Sequence, residues 1–244
     1  MRALLMGGQA CVLYGAAEFS RDTDLAILAD ADNLARLQLA LDELRADRIA
    51  VPPFEARYLN LGLAIHFRCE LPEAADMRID VMSRMRGVDP FDALWSRRTT
   101  AELDGLQIEL LSLPDLVRAK KTQRPKDWPM VVRLLEANYF SHRDRPSDEQ
   151  LDFWLKEMRT ASLLIALAER FPDRCGAALS ERSLLLIAQT GDEVALEAAL
   201  RDEEAAERAA DRAYWEPLKR ELERLRREAR SQTASRPKPD ETRS

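Results

Sequence analysis

Histidine and cysteine are scarce in this chain of 244 residues. The two histidines are His66 and His142, and the three cysteines are Cys11, Cys69 and Cys175. None of these positions shows the close, paired spacing of zinc ligands or of a disulfide framework. The scarcity therefore argues against a zinc site, and we expect the cysteines to be reduced, buried thiols in a cytoplasmic protein.

Long apolar runs are also missing. No run approaches the roughly 18 residues that a membrane-spanning helix needs. Near the start, Gly7, Gly8 and Gln9 interrupt the apolar stretch that a secretory signal would require. We therefore expect a cytoplasmic protein with no membrane partner. The formal net charge of -6 argues against general electrostatic binding to nucleic acids.

Apolar periodicity divides the chain into two halves. Residues 1–112 contain short apolar runs typical of strands, together with two helical patterns. Residues 113–230 contain helical patterns only, and the polar, proline-bearing residues 231–244 are predicted to form a disordered tail. The predicted fold class is α+β, with a mixed β-sheet and flanking helices in an α/β domain, followed by an all-helical C-terminal region.

The same patterns predict individual elements. Predicted strands cover 4–6, 23–28, 55–59, 63–69, 78–82, 100–103 and 106–111. Predicted helices cover 9–17, 32–46, 127–140, 147–159, 161–170 and 177–189, and another opens at Leu113. Asp104-Gly105 is typical of a two-residue hairpin turn, so the last two strands are predicted to pair with each other.

The end of the helical half is dominated by charge. From Asp192 onward, acidic and basic residues mixed with alanine predict a solvated helix stabilised by i,i+4 ion pairs. Pro217 is predicted to begin a separate last helix, because proline is favoured in a first turn. Leu218, Leu222 and Leu225 form a narrow apolar seam on that helix, which could meet a protein partner.

Three aspartates stand at or within predicted strands. Asp22 and Asp24 are two residues apart, so their side chains point to the same face, and Asp80 lies in a later strand. Mg²⁺ prefers carboxylate oxygens together with substrate phosphates. We predict that these aspartates hold two Mg²⁺ ions, or Mn²⁺, and that Asp80 also accepts a proton from an attacking hydroxyl. Asp80 could instead simply pair with Arg78, and His66 is predicted to be a core histidine.

A glycine pair precedes these aspartates. Gly7-Gly8 follows an apolar strand and opens a predicted helix, where free N–H groups and the missing Cβ atoms suit a triphosphate. Ser20 and Arg21 could add a hydroxyl and a positive charge to the same anion. Alone, a glycine pair is more often a plain turn, and an Asp-x-Asp a turn or cap. Their order along the chain favours a nucleotide site.

Two blocks of sequence resemble a known family. Segments 7–10 (Gly-Gly-Gln-Ala) and 20–25 (Ser-Arg-Asp-Thr-Asp-Leu) resemble the nucleotidyltransferase fold of the DNA polymerase β-like superfamily. Within it, they resemble the small bacterial enzymes related to the abortive-infection, type IV toxin–antitoxin nucleotidyltransferases. Segment 115–127 resembles the downstream Lys and Arg-x-Lys-Asp motif of those enzymes. The resemblance covers residues 3–127 and implies a nucleotidyltransferase-type mixed sheet.

The resemblance also implies roles for residues of the second block. Lys120 is expected to contact the nucleotide phosphates, with Lys121 as the neighbour that could substitute for it. Both lysines fall on one helix, so one is expected to face the cleft and the other the solvent. Arg124 is expected at the rim of the nucleotide site. Asp127 belongs to the motif but could instead cap the helix that begins at Trp128.

The implied function is a metal-dependent nucleotidyltransferase that moves a nucleoside monophosphate from a nucleoside triphosphate to an acceptor hydroxyl. A toxin neutralised by a cognate protein partner is one biological setting. A tRNA end, a protein hydroxyl and a small molecule all remain open as acceptors, and ATP, CTP, GTP and UTP are not distinguished. The alternative is an inactive member of the fold that acts as a nucleotide- or protein-binding module. That alternative is favoured by the leucine seam and by Glu18, at a position where relatives often carry arginine.

Overall fold

The computed structural model describes residues 1–234, and seven strands within them form one mixed sheet. The strands are β1 (Ala3–Met6), β2 (Asp22–Ile27), β3 (Ala46–Arg48), β4 (Ile65–Cys69), β5 (Arg78–Met82), β6 (Thr99–Leu103) and β7 (Leu106–Leu110). Their order is β3-β4-β5-β2-β1-β7-β6. The pairs β2/β5 and β1/β7 are parallel, and the other neighbours are antiparallel.

The register across the middle of the sheet places polar side chains in one row. Asp24 of β2 lies opposite Asp80 of β5, and Asp80 lies opposite His66 of β4. Because side chains alternate along a strand, these three share one face. Their strand neighbours Phe67 and Ile79 are buried on the other face. The sheet therefore has a polar surface at these strands, although its opposite surface is core.

Helices flank the sheet and, together with the loops and short turns between the elements, form the rest of the described chain. They are α1 (Gly7–Leu13), α2 (Ala31–Glu43), α3 (Ala56–Leu61), α4 (Phe91–Ser96), α5 (Leu113–Lys120), α6 (Trp128–His142), α7 (Asp148–Glu157), α8 (Ala161–Arg170), α9 (Pro172–Ala178), α10 (Leu185–Thr190) and α11 (Glu193–Ala234). Side-chain caps begin several of them. Asp30 accepts the backbone N–H of Asn33 at 2.7 Å, and Ser147 forms a capping box with Gln150.

The buried side chains form three clusters. The largest joins β1 and β7 to the helices from α5 onward and includes the fully buried Trp154. A second cluster lies under the opposite face of the sheet, where Leu37 and Leu41 of α2 pack. The third is small and joins Tyr58 to Leu218 of α11. The mixed sheet with flanking helices and a helical C-terminal region confirms the predicted α+β class.

Three predicted elements are wrong. The predicted strand 55–59 is helix α3, in which the adjacent residues Tyr58 and Leu59 are both buried; Gly62 ends it with φ +95°. The predicted helix 177–189 is divided between α9 and α10. Pro217 does not begin a helix but lies inside the continuous α11.

The packing of α11 explains why proline does not end it. Leu196 and Leu200 join the main core near the start of this helix, whereas Leu218 and Leu225 join the third cluster near its end. Both ends are therefore anchored, which offsets the cost of about 3 kcal/mol for proline in a helix interior. Leu218 and Leu225 are 8% and 6% exposed, so these two leucines of the seam pack within the chain.

The C-terminal end of the described chain is helical. Helix α11 runs to Ala234, which includes the first four residues of the tail predicted at 231–244. Residues 235–244 of that tail lie outside the described residues. Within residues 1–234, no helix has both the length and the apolar composition for crossing a membrane.

Candidate functional site

A cavity of about 310 Å³ opens over the polar face of the sheet. Its walls come from β2, β4 and β5, from α5 with the segment after it, and from α11. Charged groups from the sheet and α5 line part of it, including Asp24, Asp80 and Lys120. Aromatic side chains of α11, Tyr214 and Trp215, line another part. The cavity therefore offers both charged and apolar contacts to one ligand.

Asp24 lies in an environment that disfavours its negative charge. Burial and the nearby negative charge of Asp80 raise the pKa of Asp24 above its usual value. The positive charge of Lys120 and a hydrogen bond from the Gly8 backbone act in the opposite direction without cancelling this shift. The ionised form of Asp24 is therefore disfavoured here, and a cation beside it would favour that form.

Asp80 is held in place by two basic neighbours. Its Oδ1 accepts a hydrogen bond from Arg78 Nε at 2.7 Å and lies 2.7 Å from Nδ1 of His66. Burial alone would raise the pKa of Asp80, but the hydrogen bonds from His66 and Arg78 outweigh it and lower the pKa. The alternative prediction that Asp80 pairs with Arg78 is confirmed. Both contacts fall on Oδ1, so this pairing does not use Oδ2.

His66 is not the core histidine that the sequence suggested. Its side chain is 30% exposed and lines the cavity beside Asp80. The sequence of β4 contains a pattern that could have predicted the position of His66. The apolar residues Ile65, Phe67 and Cys69 alternate there with the polar residues His66 and Arg68. That alternation puts His66 on the polar face with Asp80.

The glycine pair allows close approach of backbone to side chains. A Cβ atom on Gly7 would lie 1.8 Å from Oδ2 of Asp24, and one on Gly8 would lie 2.3 Å from Oγ of Ser20. Gly7 also has φ +67°, in the left-handed region that other residues rarely adopt. The glycines are therefore needed to seat Asp24 and Ser20 against the start of α1, and do more than form a turn.

Replacing Gly7 by alanine should damage both stability and the site. The left-handed conformation costs an L-residue roughly 1–2 kcal/mol, and the new Cβ would also displace the Asp24 carboxylate. Gly15→Ala is a matched control, because Gly15 has φ +74° but nothing within 4 Å of its added Cβ. Urea unfolding should show the larger loss for Gly7→Ala. Equal losses in the two variants would contradict the proposed contact with Asp24.

The two adjacent lysines point to different partners. Lys120 lines the cavity with its Nζ 4.0 Å from Oδ1 of Asp127. Lys121 forms an ion pair with Glu157 of α7, and its Nζ is 3.9 Å from Glu207 of α11. The two side chains are only 15% and 12% exposed. The prediction that one lysine faces solvent is therefore wrong, since both side chains are half-buried and lie in ionic contacts.

Asp127 organises the segment after α5 without capping the next helix. Its Oδ2 accepts hydrogen bonds from the hydroxyl of Thr122 and from Nε of Arg124, the second at 2.8 Å. Asp127 occupies the N-cap position of α6, as the alternative predicted, but its side chain makes no capping hydrogen bond there. Arg124 lines the cavity with a side chain that is 58% exposed, as expected for a residue at the rim.

The structure brings together part of the predicted site. Gly7, Asp24, Asp80, Lys120 and Arg124 line the cavity, Gly8 and Ser20 contact each other beside it, and Arg21 and Asp22 are exposed outside its lining. Sequence reasoning missed Arg86 and Asp211, which also line it. No sequence signal marked Asp211, because it lies in a run of charges typical of a solvated helix.

The carboxylates suit a cation that is shared with a substrate. Among residues 1–234, no group of three His, Cys, Asp or Glu side chains could hold a metal ion by itself. Mg²⁺ commonly binds one or two carboxylates and completes its shell with water and substrate phosphates. The charge of Asp24 is only partly compensated, and Oδ2 of Asp80 lies outside the Arg78 pairing, so both carboxylates fit that kind of site.

Comparison with known proteins gives little further information. No protein-family model matches the chain, and no curated protein matches it. Among solved structures, it is similar to an antigenic nucleotidyltransferase-like protein from Paracoccidioides brasiliensis, with 16% identity and a TM-score of 0.38. The match covers 74% of this chain and 83% of that one. At this TM-score the similarity supports no conclusion about function.

Proposed function

We propose that this protein is a metal-dependent nucleotidyltransferase, which moves a nucleoside monophosphate from a nucleoside triphosphate to a hydroxyl and releases pyrophosphate. One observation carries the proposal. Asp24 and Asp80 lie side by side on neighbouring strands, and Lys120 lines the same cavity. Adjacent carboxylates with a nearby half-buried lysine provide sites for a cation and for the phosphates that it would neutralise.

The carboxylates would hold the metal. Asp24 and Asp80, together with Asp22 at the exposed start of β2, would bind two Mg²⁺ ions, and Mn²⁺ could replace them. Bound Mg²⁺ would neutralise phosphate charge and make the acceptor hydroxyl more acidic. Arg78 and His66 lower the pKa of Asp80 and so favour its ionised form, in which it would serve as a metal ligand. The same lowering makes Asp80 a weaker base for its second proposed role, acceptance of the hydroxyl proton.

The remaining cavity residues would bind the rest of the nucleotide. Lys120 would contact the phosphates directly, because it lines the cavity and its positive charge acts on Asp24. Gly7, Gly8 and Ser20 would border the phosphates, with Arg21 and Arg124 at the rim. The aromatic rings of Tyr214 and Trp215 are suited to stack on a nucleobase, and each of the four nucleoside triphosphates carries one.

A cytoplasmic toxin is the biological setting that we propose, with a cognate protein partner that neutralises it. The acceptor is a hydroxyl of a tRNA, a protein or a small molecule. A second candidate function is nucleotide binding without transfer. It is favoured by one observation, that Arg78 and His66 already occupy Oδ1 of the carboxylate proposed as proton acceptor.

Calorimetric titration with the Mg²⁺ complexes of ATP, CTP, GTP and UTP tests the proposal. We expect one or more complexes to bind the wild type, and Lys120→Ala to weaken this binding at least tenfold, because a buried charge-assisted contact is lost. Lys126→Ala is the control, since Lys126 is exposed and outside the cavity lining.

Transfer to a hydroxyl then separates the two candidates. A radiolabelled triphosphate that binds and yields pyrophosphate supports the enzyme. Binding with no pyrophosphate after incubation with total tRNA, cell protein and small-molecule extracts would favour the binding module. Titrations in which no triphosphate binds would overturn both candidates.

A further inference from the structure

Asp211 is a buried carboxylate in the otherwise charged and largely exposed helix α11. It is 3% exposed and lines the cavity. Its Oδ2 accepts the backbone N–H of Gln123 at 2.7 Å, and its Oδ1 accepts Nε of Arg86 at 3.3 Å. Asp211 therefore links α11 directly to the backbone of the segment that follows Lys120.

Arg86 adds a second link between the same elements. Its guanidinium donates to the backbone carbonyl of Lys121 at 2.8 Å and to the carboxylate of Glu207 at 2.6 Å. Glu207 lies one helical turn before Asp211 on α11. The helix therefore holds two backbone groups of the segment, the Gln123 N–H directly and the Lys121 carbonyl through Arg86.

The two lysines next to these links differ in their ionic contacts. Both line the cavity, but the Lys121 ammonium pairs with Glu157 and lies 3.9 Å from Glu207. The Lys120 charge acts on Asp24. Because the lysines are consecutive, a backbone fixed at residues 121 and 123 also determines the direction in which the Lys120 side chain leaves the helix.

We propose that Asp211 is a positioning residue for phosphate binding: through the Gln123 amide and Arg86 it holds segment 120–124 so that Lys120 faces Asp24. The inference rests on the proposed function, in which Lys120 contacts the triphosphate. It gives α11 a role in the site beyond packing. A purely structural Asp211 would contribute to folding but would not change the accessibility of Lys120 in the folded protein.

The test compares Asp211→Asn with Glu203→Gln. The first variant keeps the shape of the side chain and removes its charge. Glu203 lies two helical turns earlier on α11 and accepts hydrogen bonds from Arg159 and Arg182, so its variant also breaks buried ion pairs. Urea unfolding of both variants measures the structural effect that they share.

Three measurements then test whether Asp211 positions Lys120. For Asp211→Asn we expect a roughly tenfold weaker Kd for the Mg²⁺–triphosphate that the wild type binds. We also expect faster hydrogen exchange at the Gln123 amide and a changed rate of acetylation at Lys120, located by mass spectrometry. Glu203→Gln should leave all three unchanged.

The results decide the proposal in each case. Unchanged Lys120 acetylation in Asp211→Asn, or equal changes in both variants, would overturn it. If the wild type binds no triphosphate, the proposed function fails, but acetylation and hydrogen exchange still show whether Asp211 directs Lys120. If Asp211→Asn does not fold, Arg86→Lys replaces it, because lysine keeps the charge but cannot make all three of the contacts made by Arg86.

Discussion

Asp24→Asn should abolish metal-dependent transfer and at the same time make the metal-free protein more stable. The loss of a metal-binding carboxylate removes several kcal/mol of charge stabilisation, which corresponds to a rate reduction of roughly 10³-fold. The gain in stability follows from the raised pKa of Asp24, whose charge is disfavoured by burial and by Asp80. Asparagine has a similar shape and no charge to desolvate.

The pH dependence gives the sign of this effect. A carboxyl group with a raised pKa in the folded state binds its proton more tightly there than in the unfolded chain, so stability falls as pH rises through the folded pKa. The wild type and Asp24→Asn should therefore have similar unfolding free energies at acid pH, below the ordinary pKa of 3.8. At neutral pH the variant should be the more stable protein.

Thermal unfolding with and without Mg²⁺ checks the assignment without any transfer assay. A ligand that binds only the folded state raises the Tm. Mg²⁺ with a bound triphosphate should raise the Tm of the wild type and leave that of Asp24→Asn unchanged. A variant that is less stable than the wild type at neutral pH, or that responds to Mg²⁺ equally, would show that Asp24 has no such role.

Asp115→Ala should cause the largest loss of stability among the substitutions considered. Asp115 is fully buried in the first turn of α5 and accepts two hydrogen bonds from Arg97, at 2.7 and 2.8 Å. It also accepts the hydroxyl of Ser112 at 2.6 Å. Breaking a buried, hydrogen-bonded pair typically costs 3–5 kcal/mol, and we expect about 3 kcal/mol because Arg97 keeps partial access to water.

Asp89→Ala is the matched control for this prediction. Asp89 pairs with the same Arg97 at 2.7 Å, but its side chain is 53% exposed. Exposed ion pairs contribute about 0–1 kcal/mol. Denaturant titration of both variants should therefore show a much larger loss for Asp115→Ala. Because α5 carries Lys120, the same variant should also weaken triphosphate binding. Similar losses in the two variants would mean that burial does not strengthen the Arg97 pair.

Local sequence patterns predicted those parts of the fold that depend on near neighbours. The strand 78–82 was predicted with the bounds observed for β5, and the hairpin around Asp104-Gly105 was predicted to within one residue at each end. Side-chain alternation and turn chemistry act over a few residues and are visible in one sequence. The prediction for segment 55–59 failed because its alternation of charged and apolar residues, Glu-Ala-Arg-Tyr, is too short to distinguish a strand from a helix.

The site shows the same division between local and long-range information. Gly7, Asp24 and Asp80 were predicted from their order along the chain and Lys120 from the family resemblance, and all four line one cavity. The order of residues along the chain does not show which groups compensate the charges of Asp24, Asp80 and Lys120. Hence the Arg78 pairing could be raised only as an alternative, and the contact of His66 with Asp80 was not foreseen.

By itself, the sequence determined the α+β class, the central strands and several of the residues that line the cavity. Only the tertiary structure determined that Lys121 forms an ion pair with Glu157 and that Asp211 accepts a hydrogen bond from the backbone of Gln123 in segment 120–124. The physical reason is that these contacts join residues far apart in the chain. Helix α11 looked like a solvated surface because its charges compensate each other locally, whereas a few of them compensate groups buried at the cavity.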